Sequence, residues 1–359
     1  MKPTKHQRIA GALWGCAVGD SLGLPAEGIS RAGIAKRGWT NNWRQRLIFG
    51  KGMLSDDTEH TLMVAQALSQ HRGDADAFAR SLGWRLRWWL TTLPAGIGMA
   101  TGRALFKLWL GFQPSRSGVF SAGNGPAMRS GIIGAVFADD SESLEAFVEA
   151  STRITHTDPK ALVGALAVAY CAAGGSDEVL LKKLRALSRW ESTDWPALMR
   201  KIEEALQRKV SVAEFADELG LSKGVSGYTY HTVPVALYGF LFWRDKPQAF
   251  AMMLNDILNL GGDTDSVGAI AGAMMGAEVG TEGIPDSWKD EIADWPYSKS
   301  YLDESAALLA SGQLVRITWP PLHLIRNLFF LLIVLTHGFL RFAPVVQRDH
   351  ARATTNPYE

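Results

Sequence analysis

The chain has 359 residues, 47% of them apolar, enough to bury the core of one large domain or two ordinary ones and too many for disorder to dominate. Its 37 lysines and arginines balance 36 aspartates and glutamates, which excludes a general nucleic-acid binder held by counterion release and makes any charge preference local. The two cysteines, Cys16 and Cys171, fit neither a disulfide scaffold nor a thiolate zinc site, so a reducing compartment is expected.

The opening segment MKPTKHQRIAGALWG lacks an apolar run followed by a cleavage site; no secretory signal is expected, and the cytoplasm is the expected location. Gly11, Gly15 and Gly19 then fall on one helical face directly before Asp20, a face that permits close helix contact. Gly28 to Ser55 holds no acidic residue and interleaves Arg31, Lys36, Arg37, Arg44, Arg46 and Lys51 with Trp39 and Trp43. It reads either as a platform for stacking a base or as a solvated basic loop with anchoring tryptophans.

Ser55-Asp56-Asp57-Thr58 opens a segment with helical apolar spacing from Thr58 to Leu68. A second acid-free stretch, Ala77 to Ala138, carries Arg80, Arg85, Arg87, Arg103, Lys107, Arg116 and Arg129, which would attract an anionic ligand. Within it, Ser121 to Arg129 reads as a loop whose backbone N–H groups would cradle phosphate before a helix begins; an ordinary glycine turn is the alternative.

Helices are expected over Ser141–Ala150, Pro159–Ala173 and Val179–Leu187; Asp158-Pro159 starts the second and Gly174-Gly175 ends it. His156, just before that start, is either a donor to substrate or a structural hydrogen-bonding group. Ser211 with Glu214 forms a capping box. Gly261-Gly262-Asp263-Thr264-Asp265-Ser266 precedes VGAIAGAMMGA, where Gly268, Gly272 and Gly276 repeat the four-residue spacing.

No strand-like alternation persists, so a compact all-α single domain is expected over residues 8–310. Residues 311–359 read as a hydrophobic C-terminal appendage. Trp319 to Phe342 is rich in large apolar side chains, with an unbroken run from Leu328 to Leu335, but Arg326, Asn327, His337 and Arg341 flank the run closely. It is too short to span a bilayer comfortably, so a buried or interface helix is favoured over membrane contact.

The chemistry lies in two oxygen-rich clusters, Ser55 to Thr58 and Gly261 to Ser266, which together offer Asp56, Asp57, Asp263 and Asp265. Four converging carboxylates without a base need cations, and hard divalent ions take oxygen ligands, so magnesium is expected, with Ser266 adding a hydroxyl. The alternative for each cluster alone is that it caps its own helix. No nucleophile elbow, HExxH helix, Walker loop or dinucleotide-binding glycine motif stands before the right elements.

Taken in order, these motifs resemble the ADP-ribosylglycohydrolase family. The matching segments are Gly15 to Gly23 with Asp20, Ser55 to Thr58, Gly123 to Arg129, Thr155 to Pro159 and Gly261 to Ser266, spread over about residues 8–310. The resemblance implies an all-helical fold with a dinuclear metal cleft. Two magnesium ions, replaceable by manganese, would be held by Ser55, Asp56, Asp57, Asp263, Asp265 and Ser266. Threonine often stands in the family where this chain has Ser55 and Ser266, and both hydroxyls can ligate.

The resemblance further implies that Glu27 positions or deprotonates a water, making Glu27, Asp56, Asp57 and Asp265 the catalytic set. Gly123, Asn124, Gly125 and Met128 would hold the pyrophosphate, with His156 steadying ribose or phosphate. The implied activity is hydrolysis of the bond between ADP-ribose and a modified acceptor, protein or otherwise. One rival is a non-catalytic ADP-ribose-binding or toxin-blocking immunity protein whose partner is an ADP-ribosyltransferase toxin; retention of every implied ligand argues against it. A membrane-associated interaction protein, suggested by the tail, is the other.

Overall fold

The computed structural model describes residues 3–318 and 320–340, and most of these are helical. Trp319, Arg341 and Phe342, at the ends of the apolar tail, lie outside the described residues.

Two helices, Lys5–Gly23 and Thr264–Val279, form the centre. Both are apolar nearly all round and buried along most of their length, as a helix must be when it has no polar face to offer water. They run antiparallel with their backbones in contact. A methyl group added at Gly11, Gly15 or Gly19 would lie 1.9, 2.0 or 2.0 Å from the carbonyl oxygen of Gly276, Gly272 or Gly268. The glycine faces expected from four-residue spacing are therefore the two sides of one interface, and only hydrogen fits between them.

Other helices wrap this pair. Pro159–Ala173, buried from Ala161 onward, and Thr229–Trp243 complete the core. Asp56–His71 packs beside them, and helices such as Trp195–Arg208 show water a charged face. The local signals act as expected: Asp158 caps Pro159–Ala173 by accepting from the Lys160 amide, and Gly174, with φ of 81°, ends it. Ser211 and Glu214 close their capping box. The other expected helices occur as Asp56–His71, Ser141–Thr155 and Asp177–Ala186.

A strictly all-α reading needs one correction. Ile29–Ser30 pairs antiparallel with Gly261–Gly262, Ile29 opposite Gly262. Two residues per strand leave no alternation to detect; the pairing depends on Gly261 and Gly262, both at positive φ, in a position where added side chains would strike backbone.

Within the tail, Pro320–Leu340 is a helix whose inner face docks on the core. Buried Arg326 pairs with Glu59 at 3.0 Å and with Asp294, and also donates to the Leu54 carbonyl. Asn327 Nδ2 donates to Thr92 Oγ1 at 2.9 Å and to its carbonyl at 3.1 Å. Phe330 and Ile333 close a small apolar cluster with Leu24, Leu47 and Met53.

Two substitutions test these contacts by chemical denaturation. Gly15→Ala should cost about 3 kcal/mol, because neither backbone can withdraw, whereas Gly73→Ala, with open space around it, should change stability by less than about 0.5 kcal/mol. Arg326→Leu should cost about 3–5 kcal/mol by leaving two buried carboxylates without their cation; a near-neutral result would mean that the helix does not hold this position in solution.

Candidate active site

The central interface fixes where the acidic clusters meet. Because the helices run antiparallel, the end of Lys5–Gly23 lies against the start of Thr264–Val279, and Thr264 Oγ1 donates to the Gly23 carbonyl at 2.8 Å. Asp20, one turn earlier, is completely buried. Its Oδ2 accepts from the Ser55 amide at 2.9 Å, the Thr58 amide at 3.2 Å and the Thr58 hydroxyl. One carboxylate thus holds the first acidic cluster against the helix pair that carries the second.

The two clusters join at Asp57. Its Oδ2 accepts from Ser55 Oγ at 3.2 Å and from Ser266 Oγ, 209 residues away in sequence, at 3.3 Å. Ser55 also caps its helix by accepting from the Asp57 amide. Capping and clustering are therefore both true of this residue. Asp263 Oδ2 accepts from Asn124 Nδ2 at 2.7 Å, and Asp265 Oδ1 from the Ser266 amide at 3.0 Å.

These groups stand at one end of a cleft of about 630 Å³. Ser55, Asp56, Asp263, Asp265, Ser266 and Glu27 line it together with Gly123, Asn124, Gly125, Met128 and His156. Of the expected site residues only Asp57 does not; it lies behind the wall, nearly fully buried.

Burial pushes the Asp56, Asp57 and Asp265 carboxyls well above the ordinary range, and mutual repulsion adds to it: Asp20, Glu59 and Glu27 act on Asp56, and Glu27, Asp263, Asp57 and Asp20 on Asp265. Asp20 is pushed up to about 6 by burial, opposed by its hydrogen bonds to Thr58 and Ser55.

This donor set suits a hard cation. Among the described residues no lysine or arginine lines the cleft to balance the carboxylates, and Asp20 Oδ1 and Asp57 Oδ1 are buried with no hydrogen-bond partner. Among the described residues, however, no three His, Cys, Asp or Glu side chains are grouped closely enough to form a ready-made cage.

The glycine loop, tied to Asp263 through Asn124, is shaped around His156. A Cβ at Gly123 would lie 2.9 Å from His156 Nε2, and one at Gly125 would lie 3.3 Å from Cε1. His156 Nδ1 is 2.9 Å from Thr155 Oγ1, which accepts from Arg129. The helix after the loop, Gly125–Met128, has only four residues, and two loop amides are engaged internally, Gly123 with Ser121 Oγ and Asn124 with the Gly227 carbonyl.

Both acid-free stretches contribute backbone to the cleft, but none of their lysines or arginines lines it. Arg129 is buried against Gly125, Ser151 and Thr155; Arg87 stacks on Trp109; Lys107 donates to the Gly118 carbonyl. Trp43 is buried with its N–H on Asn259, and half-buried Trp39 packs edge-on against it with Arg46 over its ring, so both anchor their loop. In Arg87, Lys107 and Arg129 the stretches hold cations that an aromatic ring and backbone carbonyls engage.

Three contributions were not expected. Val225, Ser226 and Gly227 line the cleft, laced to its other strands by Asp263 N to Val225 O (2.7 Å) and Thr229 N to Ala122 O (2.8 Å). Gly224 and Gly227 before a helix were the available signal. The start of Met99–Trp109, with Gly98 and Thr101, forms another wall, and the C-terminal helix adds Phe330 and Val334.

The family model described as ADP-ribosylglycohydrolase matches residues 1–317. A protein from Archaeoglobus fulgidus, named only as uncharacterized, is 34% identical over 85% of this chain and 96% of its own length. The ADP-ribosyl-[dinitrogen reductase] glycohydrolase of Rhodospirillum rubrum is 28% identical over 86% and 97%. Human ADP-ribosylhydrolase ARH3 is 31% identical over 50% and 56%. A solved ADP-ribosylglycohydrolase-related protein complex superposes with a TM-score of 0.60 at 26% identity, covering 86% of this chain and 98% of that one.

Two histidines, His156 on the cleft wall and buried His60, are held neutral. Burial, with Arg129 adding repulsion, pushes His156 down to about 3 and His60 well below its usual value; both His60 nitrogens lack a partner, and the ring lies edge-on to Trp89 at 4.5 Å. The unfolded chain takes these protons first, near pH 6.5, so their contribution to stability is present above that pH and is lost as pH falls. The slope is about 1.4 kcal/mol per pH unit for each histidine. Urea denaturation of His60→Leu should therefore lose less stability than wild type between pH 6.5 and 5; parallel losses would refute the neutral assignment.

Proposed function

The chain belongs to the ADP-ribosylglycohydrolase family, and we propose that it hydrolyses the glycosidic bond between ADP-ribose and a modified acceptor in a magnesium-dependent reaction. The observation that carries this reading is the meeting of two acidic clusters at Asp57, in the same cleft as a glycine loop packed on His156. That pairing offers an anionic substrate cation ligands and, beside them at Asn124, a loop that approaches with backbone rather than side chains.

Ser55, Asp56, Asp57, Asp263, Asp265 and Ser266 would hold two divalent cations, magnesium or manganese. When bound, these supply Lewis acidity and neutralise the carboxylates that otherwise repel one another. Asp20 would orient ligands from behind, through Ser55 and Thr58, and Asn124 would orient Asp263 from within the cleft. Gly123, Asn124, Gly125 and Met128 would receive the pyrophosphate, and neutral His156 would brace the loop and hydrogen-bond ribose or phosphate without adding charge.

Glu27, exposed on the cleft wall, would take a proton from the attacking water. Water oxygen bonds to the anomeric carbon, the bond to the acceptor breaks through an oxocarbenium-like transition state, and the departing acceptor atom receives a proton. The products are ADP-ribose and the restored acceptor. The toxin-blocking alternative is not favoured, since nothing in the cleft requires catalysis to have been lost.

Release of free ADP-ribose should be measured on arginine-linked, serine-linked and nucleic-acid-linked substrates, with magnesium and with chelator. Asp56→Ala and Asp265→Ala should each reduce release by about 100-fold or more. Release that persists in chelator and in both variants would overturn the proposal.

A further inference from the structure

The C-terminal helix is inside out. A helix on a water-soluble surface points its apolar stripe inward and its polar residues outward. Pro320–Leu340 departs from this: His323, Arg326 and Asn327 lie on the buried face with Phe330 and Ile333, while Ile325, Leu328, Phe329, Leu332 and Leu335 are 51–63% exposed. At 100° per residue those five, with Leu324, share one continuous outer face. That distribution is the one found where a helix meets lipid, with its ionisable residues turned toward protein.

We propose that this outer face seats on a lipid surface, the helix lying in the interfacial plane. The window Pro321–Gly338 has a mean hydropathy of 1.4 and is 28% buried, long and apolar enough for contact with acyl chains. Arg326, however, is paired on the inner face with Glu59 and Asp294, which fixes one side of the helix to protein and favours lying over spanning.

The chemistry of the face selects lipid over a protein partner. Protein interfaces carry about one hydrogen bond per 100–200 Å². The hydroxyl on this outer face, that of Thr336, already donates to the Leu332 carbonyl. There is no aspartate or glutamate between Pro320 and Leu340. At the edge of the docked face, Ile48 packs beside Phe330 and Ile333, and the turn that follows holds Phe49 out, 99% exposed, with exposed Lys51 two residues on. An apolar ridge edged by a cation suits an interface with anionic headgroups.

The family match ends at residue 317, three residues before the helix begins. This surface is therefore carried by sequence outside the matched region. Because Phe330 and Val334 line the cleft from the inner face, seating would hold the cleft beside the lipid.

The test is flotation of the full-length chain with vesicles of mixed phosphatidylcholine and phosphatidylglycerol, with light scattering in their absence. Wild type should float, and the Leu328→Glu/Phe329→Glu double variant should lose about tenfold or more of the bound fraction. Its melting temperature should stay unchanged, as should ADP-ribose release from a soluble substrate. Wild type remaining at the bottom of the gradient, or equal flotation of the variant, would overturn the proposal. So would a wild-type dimer that the substitutions dissociate without any vesicle binding, since the face would then belong to a second copy.

Discussion

Everything in the cleft depends on the backbone contact between Lys5–Gly23 and Thr264–Val279. Three glycines on each side remove the side chains that ordinarily keep helices about 8–10 Å apart. The contact also sets register, because a shift of one residue would drive an alanine or valine into a carbonyl. Fixed register means that Asp20 and Asp265, on different helices, arrive at one level. Asp20 then spends three hydrogen bonds on Ser55 and Thr58, and a third helix start is placed by the same contact.

Such convergence is electrostatically costly. The carboxyls at this end are buried beside one another, and each raises its neighbours' affinity for protons. The protein offsets this with neutral donors: hydroxyls of Ser55, Thr58 and Ser266, the Asn124 amide and backbone N–H groups. It does not place a lysine or arginine among them. Two cations approach, Arg326 paired with Glu59 and Asp294 and Arg129 donating to the Gly125 carbonyl, and both stand outside the cleft lining. A built-in base would quench the site; neutral donors hold its shape and leave its charge available.

What could be read in the sequence follows from how local each cause is. Caps, helix spans and both oxygen-rich clusters were legible because serine, aspartate, proline and glycine act on their immediate neighbours. The glycine faces were legible as faces, though not as partners of each other. Basic residues misled: composition counted Arg87, Lys107 and Arg129 as an attractive field, whereas an aromatic ring and backbone carbonyls absorb them. The Val225 to Gly227 wall and the two-residue strand pair were illegible because their causes are hydrogen bonds between segments more than thirty residues apart. Asp57 was identified as a site residue, but its retreat behind the cleft wall depends on Ser266 reaching it from across the fold.

The C-terminal helix shows how a segment outside the family-matched region can still be built into the site. Arg326 donates to the Leu54 carbonyl, and Asp294 accepts from the Leu54 amide, so both backbone groups of the residue before Ser55 are held by this one ion pair. The loop entering the first acidic cluster is thereby fixed from outside, while Asp20 fixes the cluster from inside. Phe330 and Val334, one and two turns beyond Arg326, then wall the cleft beside Leu24 and Ala95. Displacing the helix would thus remove a wall and loosen the backbone that presents Ser55 and Asp56, so the inner face of the tail couples cleft shape to the position of its acidic end.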